Sequence, residues 1–491
     1  MDADTSIVEY FGETISSSCG YCKTTDPDKF THGMWAHKLS TEDYNALLDR
    51  GWRRSGKYLY KPTLNRTCCP QYTIRCDANA FKPTKKHKRV LKIVQDYLAT
   101  GKQPNKCAIP ATGGDRAESH EMPLTKATSK SVVGTLREET VTTSELAAVQ
   151  TTAASENKPK ENVTHKEVCS EDAAKTSTAT RQPRLGKKKE MRKQRALQRL
   201  AKKGIDAETA QKMRLAKVPQ PKSLEDRLEQ ALPSKPAHRL EFRLVRSHPV
   251  SREFSRTLTE SHATYAQYQT TVHGDPPSKP SLSQYRRFLC DSPLNEKKPS
   301  SSSADFAGFG SFHQQYLLDG KIIAVGVLDI LPHCVSAKYF YYDPAYQFLS
   351  LGTYSALVEI ALVRKLAKIV PALRWYYMGF YIDSCPKMRY KGRYLPSDLL
   401  CPETFTWVPI EKCLPKLAVS KYARFASNDI ASTEDDTNID QVAVLCNGLV
   451  TTYGALRQLK NPTVQDGAEV QEYARLVGST CAKRMLLYRQ E

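Results

Sequence analysis

The chain reads as a mixed α/β protein, and three observations carry that reading. Strand-like segments and one long helical segment alternate over residues 311–382. The first hundred residues hold a cysteine constellation and their own aromatic side chains. Between these regions no Phe, Trp or Tyr occurs from 98 to 241, a gap too long to lie inside a compact core. The expected organisation is a cysteine-rich N-terminal domain over 1–105, a long disordered linker over 106–235, a strand-and-helix domain over 236–425 and a C-terminal extension over 426–491.

Each element has a local reason. In the N-terminal region Trp35, Tyr44, Leu47, Leu48, Trp52, Tyr58 and Tyr60 supply a core. Ser40-Thr41-Glu42-Asp43 is a helix start with a hydroxyl N-cap, and Gly51 suits the stop. Arg53, Arg54, Lys57, Lys61 and Arg66 interleave with aromatics, and Lys82–Lys92 adds further charge, a mixture suited to phosphates and stacked bases or to a basic solvated face. Residues 108–180 are rich in Thr, Ser, Ala, Glu and Lys without periodicity. Lys187–Lys203 is a basic helix former, suited equally to an RNA-contacting arm or a nuclear localisation signal.

In the second half, 311–317 alternates as a strand. Asp319-Gly320 is a tight hairpin signal. Ile322–Ile330 is nearly all apolar, as a strand buried on both faces would be. Val335–Tyr342 is a third strand, broken by Asp343-Pro344. Leu349–Val370 has helical periodicity with Ser350 as N-cap, and Pro371 ends it. Leu373–Ile382 is a further strand. Hairpin, long strand, helix, strand is the core order of a GNAT-type acyltransferase. In such folds the loop before the helix binds the phosphates of CoA through backbone amides. Only Leu351-Gly352 stands there in this chain, so CoA is not the expected donor.

The 491 residues carry a formal charge of +21 and a pI of about 9.3, so polyanions, RNA or DNA first, are the expected partners. No run of about 18 apolar residues occurs, and no membrane span is expected. The acidic start lacks an apolar signal region, which leads to an expected cytoplasmic location, with a nuclear one open through the basic run. In a reducing compartment the cysteines are expected as thiols or metal ligands.

Cys19 and Cys22 form a C-x-x-C, Cys68 and Cys69 follow as an adjacent pair, and Cys76 stands in reserve. This soft-ligand set suits zinc or an iron–sulfur cluster. Buried structural thiols are the bland alternative.

Several motifs in order resemble those of the eukaryotic arginyl-tRNA–protein transferases. They are Ser18-Cys19-Gly20-Tyr21-Cys22, Trp52–Gly56 and Cys68–Cys76, then His313–Tyr316, Ala324–Pro332, Tyr339–Pro344, and Cys385–Gly392 running on to Thr404. The likeness covers roughly 15–100 and 240–410. One departure is Asp383, where the family pattern leads one to expect a histidine. The resemblance implies transfer of arginine from Arg-tRNA to the N-terminal amine of proteins beginning with Asp, Glu or oxidised Cys. It also implies marking of those proteins for ubiquitin-dependent degradation. The alternatives are a non-catalytic tRNA-binding protein with a structural metal site and a CoA-dependent N-acetyltransferase.

The donor ester in that reaction is already activated, so neither ATP nor CoA is expected. The enzyme must position the amine, accept its proton and stabilise the oxyanion. Lys387, Arg389 and Lys391, with Tyr390 among them, are the candidates to bind an acidic acceptor side chain. The donor guanidinium calls for a carboxylate, Asp329 first and Glu359 second. His313, Tyr339 and Tyr341 are candidates for a proton path, and a monomer is expected.

Overall fold

Both halves of the chain contribute to each of two β-sheets. The computed structural model describes residues 5–16, 19–22, 29–104, 191, 222–298, 306–430, 438–460 and 464–489. The basic run 187–203, apart from Met191, and most of the expected linker lie outside the described residues.

The first sheet has seven strands in the order β14-β13-β15-β1-β2-β4-β3. The strands are β1 (Ile7–Ser16), β2 (Lys29–Lys38), β3 (Arg53–Ser55) and β4 (Tyr58–Pro62), with β13 (Ala443–Cys446), β14 (Leu449–Thr452) and β15 (Leu486–Arg489). The last strand thus runs beside the first, with Ile7 opposite Leu486 and Val8 opposite Leu487 in parallel. Trp52 joins the two ends, its Nε1 donating to the Leu476 carbonyl at 3.1 Å. The C-terminal segment is therefore part of the N-terminal sheet.

The second sheet has eight strands in the order β12-β11-β5-β10-β9-β8-β7-β6. They are β5 (Tyr72–Asp77), β6 (Leu240–His248), β7 (Gly310–Leu318), β8 (Lys321–Ile330), β9 (Cys334–Tyr342), β10 (Trp375–Tyr381), β11 (Ser397–Leu400) and β12 (Trp407–Pro409). β5 comes from the N-terminal hundred residues and pairs antiparallel with β10, Tyr376 facing Cys76. The sheet interior is apolar because β8 buries Ile322 to Ile330 on both faces.

Local rules explain the joins. Asp319 and Gly320 take φ of 52° and 85°, the left-handed pair that a two-residue hairpin needs. The expected helix start holds: in the helix Thr41–Leu48 the Ser40 hydroxyl accepts from the Asp43 amide. The long helix is shorter than its periodicity predicts, Leu351–Ala367, because Asp343-Pro344 opens a 3₁₀ turn over Pro344–Leu349 first. Ser350 is its N-cap position with φ 53°, yet its side chain makes no capping bond.

Helices cover the eight-stranded sheet on both faces. Alternate residues of a strand point to opposite faces. On β9, Tyr339 and Tyr341 meet Tyr265 of the helix Arg252–Tyr268. Phe340 meets Tyr316, which lies close to Glu359 and Tyr354 of the helix Leu351–Ala367. The helix Lys85–Thr100 packs over the latter. Among the described residues no helix is long and apolar enough to cross a membrane.

Candidate active site

β9 and β10 run parallel but pair over only three residues, 334–336 against 375–377. Beyond that point the two strands part. Two bulges accompany the parting. Val327 faces Tyr339 while Leu328 faces Ala337, so Lys338 is the extra residue on β9. On β10, Tyr377 faces Arg75 and Phe380 faces Thr73, which leaves one extra residue at Met378-Gly379, where Gly379 has φ 71°. Bulges re-aim side chains and end pairing, and they collect beside active sites. The gap is a cleft walled by Lys338 and Tyr339 of β9, Gly352 and Glu359 of the long helix, Tyr376 of β10, and Lys391 and Tyr394 from the turn beyond it.

Glu359 is 2 % exposed and its Oε2 accepts from the Tyr376 hydroxyl at 2.6 Å. Burial pushes its carboxyl up to about 7, with Tyr376 pulling the other way. Its Oε1 lies 3.0 Å from where a Cβ on Gly326 would stand, so that glycine keeps room for the carboxylate. Lys338 has a stem that reaches the surface and a buried ammonium without a hydrogen-bond partner among the described residues. Burial lowers its pKa to about 7, Arg54 lowers it further, and Asp329 pulls it back. Lys391 is 3 % exposed and its Nζ donates to the Phe380 carbonyl at 2.8 Å.

The other predicted residues lie elsewhere. Asp329 is held by Arg54 of β3, whose Nε and NH2 reach its two oxygens at 2.8 and 2.6 Å. Ser311 donates to the same carboxylate at 2.8 Å. Asp329 therefore has a guanidinium already. His313 is fully buried with Nε2 3.1 Å from the Leu289 carbonyl, and burial lowers its pKa to about 4, so it is neutral. The Tyr341 hydroxyl meets that of Tyr285 at 2.7 Å. Tyr339 accepts from Gln269 at 2.6 Å. Lys387 and Arg389 are exposed on the short helix Pro386–Arg389, where Arg389 donates to the Asp383 carbonyl. Asp383 accepts from Tyr381 at 2.6 Å. The structure thus gathers Glu359, Tyr390 and Lys391 at one cleft, and not Asp329, His313 or Tyr341.

Lys338 and Tyr376 carry no signal in the sequence. A bulge is a matter of register, which periodicity does not show. Arg53 and Arg54 also differ from a phosphate-binding face, being 6 % and 5 % exposed. Arg53 donates to the Trp52 carbonyl at 2.8 Å, inside the protein.

The sulfurs of Cys19, Cys22, Cys68 and Cys69 all lie within 4.8 Å of one another. Zn–S bonds of about 2.3 Å place tetrahedral sulfurs roughly 3.8 Å apart, so the four thiols fit a metal centre. Burial first, then the neighbouring thiols, raises Cys69 to about 12 and lifts Cys68 as well. Four thiols this close cannot all ionise without a cation among them. Cys76 sits apart on β5 in the core of the other sheet. The cysteine group packs against Phe380, Ile382, Cys385 and Met388, the segment that leads from β10 to Lys391.

A mixed sheet that opens between two parallel strands beside a helix start, with buried Glu359 and Lys391 at the opening, has the layout of an acyltransferase. The chain belongs to the arginyl-tRNA–protein transferase family. Residues 17–89 match the family's "Arginine-tRNA-protein transferase, N terminus" and residues 260–401 its C terminus. The chain is 41 % identical to Arginyl-tRNA--protein transferase 1 of Drosophila melanogaster, over 98 % of its own length and 99 % of the relative's. It is 35 % identical to the Arabidopsis thaliana protein of the same name over 86 % and 76 %. A shorter match, 32 % over 29 % of this chain and 51 % of the relative, is to an aspartate/glutamate leucyltransferase of Aeromonas hydrophila. The protein is accordingly an aminoacyltransferase that moves arginine from Arg-tRNA to protein.

Proposed function

We propose that the acceptor is the N-terminal α-amine of proteins beginning with Asp, Glu or oxidised Cys, and that the added arginine marks them for ubiquitin-dependent degradation. The observation that supports this most is the cleft itself, which combines the buried carboxylate of Glu359 with the buried amine of Lys391. The bacterial relative's name speaks of aspartate and glutamate as acceptors, and its match to this chain suits a shared preference.

In this reading Glu359 takes the donor's guanidinium, since Asp329 is engaged by Arg54. An arginine there draws the carboxyl into its ionised form. Lys391 pairs with the acidic side chain of the acceptor. The proton is assigned to Lys338, a wall of the cleft whose amine stands on the Asp329 side. A free α-amine has a pKa of about 8, so at neutral pH most of it arrives protonated. A base with a pKa near the working pH is the efficient acceptor of that proton. Amide formation then expels the tRNA 3′-terminal ribose hydroxyl, and no covalent enzyme intermediate is required. Cys19, Cys22, Cys68 and Cys69 hold one metal centre, zinc or iron–sulfur, which braces the segment carrying Lys391.

The test is incubation of purified protein with charged Arg-tRNA and peptides that differ only in their first residue. An arginine added at the α-amine of the Asp peptide, and not of a Gly peptide, is expected by mass spectrometry. Equal transfer to both, or modification at a side chain only, would overturn the acceptor assignment.

A further inference from the structure

The helix Lys85–Thr100 places its charges against its own stability. Lys85, Lys88, Arg89 and Lys92 are exposed. Their spacing of three, four and seven residues puts them on one face. Each near pair among these four is of like sign, and like charges four apart destabilise a helix; the first opposite charge on the face is Asp96, one turn beyond Lys92. They also stand in its first two turns, at the positive end of the macrodipole, where anions are favoured and cations are not. The first turn holds no acidic residue. Among the described residues none of these four side chains has an ion-pair partner.

The helix nevertheless starts well. The Thr84 hydroxyl accepts from the His87 amide, the His87 ring accepts from the Thr84 amide, and Gly101 closes the far end in the left-handed conformation. The fold therefore holds this helix rigidly while its exposed face repels itself. A polyanion would relieve that repulsion.

The helix is anchored to the cleft wall through its opposite, buried side. His87, in the first turn, stacks on Tyr394 with ring centres 4.8 Å apart and planes 19° apart. Tyr394 is a wall of the cleft. Arg393, next to it, is exposed and close enough to disfavour charge on His87. Along the helix the four cations span about 10 Å at ~1.5 Å per residue. One strand of a duplex presents a phosphate every ~3.4 Å of axis, so that length meets about three.

We propose that this face of the helix Lys85–Thr100 docks the acceptor-stem phosphates of the donor tRNA and so directs its aminoacyl end into the cleft beyond Tyr394. The proposal rests on the placement of the transfer reaction in that cleft. The buried Arg53 and Arg54 cannot do this work, because neither reaches solvent.

The experiment uses the full chain with Lys85→Gln, Lys88→Gln, Arg89→Gln and Lys92→Gln combined. Equilibrium binding of tRNA-Arg is measured over a series of KCl concentrations, alongside steady-state transfer to an Asp-initiated peptide. The slope of log affinity against log salt is expected to fall by roughly 2–4, at about 0.9 for each phosphate no longer neutralised, with affinity near 0.15 M salt down roughly tenfold to a hundredfold. KM for Arg-tRNA should rise with it, while kcat and KM for the peptide stay unchanged. The melting temperature should not fall, since the substitutions remove repulsion. A charge-preserving variant, with the three lysines replaced by arginine, should keep the wild-type slope.

An unchanged slope and affinity in the glutamine variant would overturn the proposal. So would a rise in peptide KM with tRNA binding intact, which would make the face a reader of acidic acceptors. If the wild-type protein fails to arginylate the Asp peptide while the slope still falls, docking stands and the acceptor assignment fails.

Discussion

Arg54 of β3 and Lys338 of β9 are two buried cations from different sheets around the same carboxylate, and they behave oppositely. Arg54 grips Asp329 with two nitrogens, and that partner more than offsets the cost of burial, so its pKa rises. Lys338 has no bonded partner among the described residues, so burial dominates and lowers its pKa to about 7. A buried charge with a matched partner is structure. A buried amine without one titrates where chemistry needs it. The cysteine centre is the mirror case, four potential anions gathered at one spot with the buried Lys29 close to two of them.

The largest effect is expected at that centre. Cys69→Ser or Cys19→Ser should bring bound metal from about one centre per chain to nearly none, because a tetrahedral site needs all four thiolates. Elemental analysis and visible absorbance after anaerobic purification measure it. Full occupancy in both variants would end the assignment.

Asp329→Ala tests the structural member of the comparison. It leaves the Arg54 guanidinium buried and unpaired, which should cost about 3–5 kcal/mol of stability. The urea midpoint should move accordingly. A midpoint shared with the wild type would mean that the pair is dispensable.

Lys338→Met tests the chemical member, and the two readouts should diverge. Transfer should fall by about a hundredfold, or ~2.7 kcal/mol in the barrier, as for loss of a general base. Stability should rise at pH 7. The lysine pKa is lowered in the folded protein, to about 7 from an ordinary 10.5. Between those values the unfolded chain binds the proton and the folded one does not, so this group's penalty shrinks as pH rises. The gain from Lys338→Met should therefore be full below pH 7 and gone above about pH 10.5. In the wild type kcat/KM should climb through pH 7. A flat profile, or a variant that loses stability and activity together, would reduce Lys338 to packing.

Lys391→Ala should have the smallest effect. A charge-assisted contact of about 1.5–3 kcal/mol is worth roughly tenfold to a hundredfold in kcat/KM for Asp-initiated peptides, with tRNA binding intact. Its engagement with the Phe380 carbonyl places the expectation at the low end. Equal losses in both assays would make it a tRNA contact.

Much of the frame is legible in the chain. Asp319-Gly320 announces a hairpin, and the all-apolar Ile322–Ile330 announces a strand buried on both faces. Asn447-Gly448 carries a turn signal of the same kind, in a region where no strands are expected from the sequence. It joins β13 to β14 with φ of 48° and 82°. The four cysteines form one ligand set by spacing and lie together in space. Of the predicted site residues, Glu359, Tyr390 and Lys391 reach the cleft, the first from the long periodic helix and the other two from the turn that follows β10.

The sequence by itself determined the strands and helix of 311–382, the short helix after Ser40, the Asp319-Gly320 turn, the thiol set and the family, since each rests on residues near one another or on whole motifs. Tertiary structure alone decided the rest. It set β5 of the N-terminal hundred residues beside β10 and brought residues 443–489 back to β1. It paired Arg54 with Asp329, 275 positions apart, and so removed from the site the carboxylate that local reasoning preferred. It also put the extra residue of β9 at Lys338. Register, and the partner a buried charge finds, depend on which distant strand lies alongside, and no local pattern in the chain encodes that.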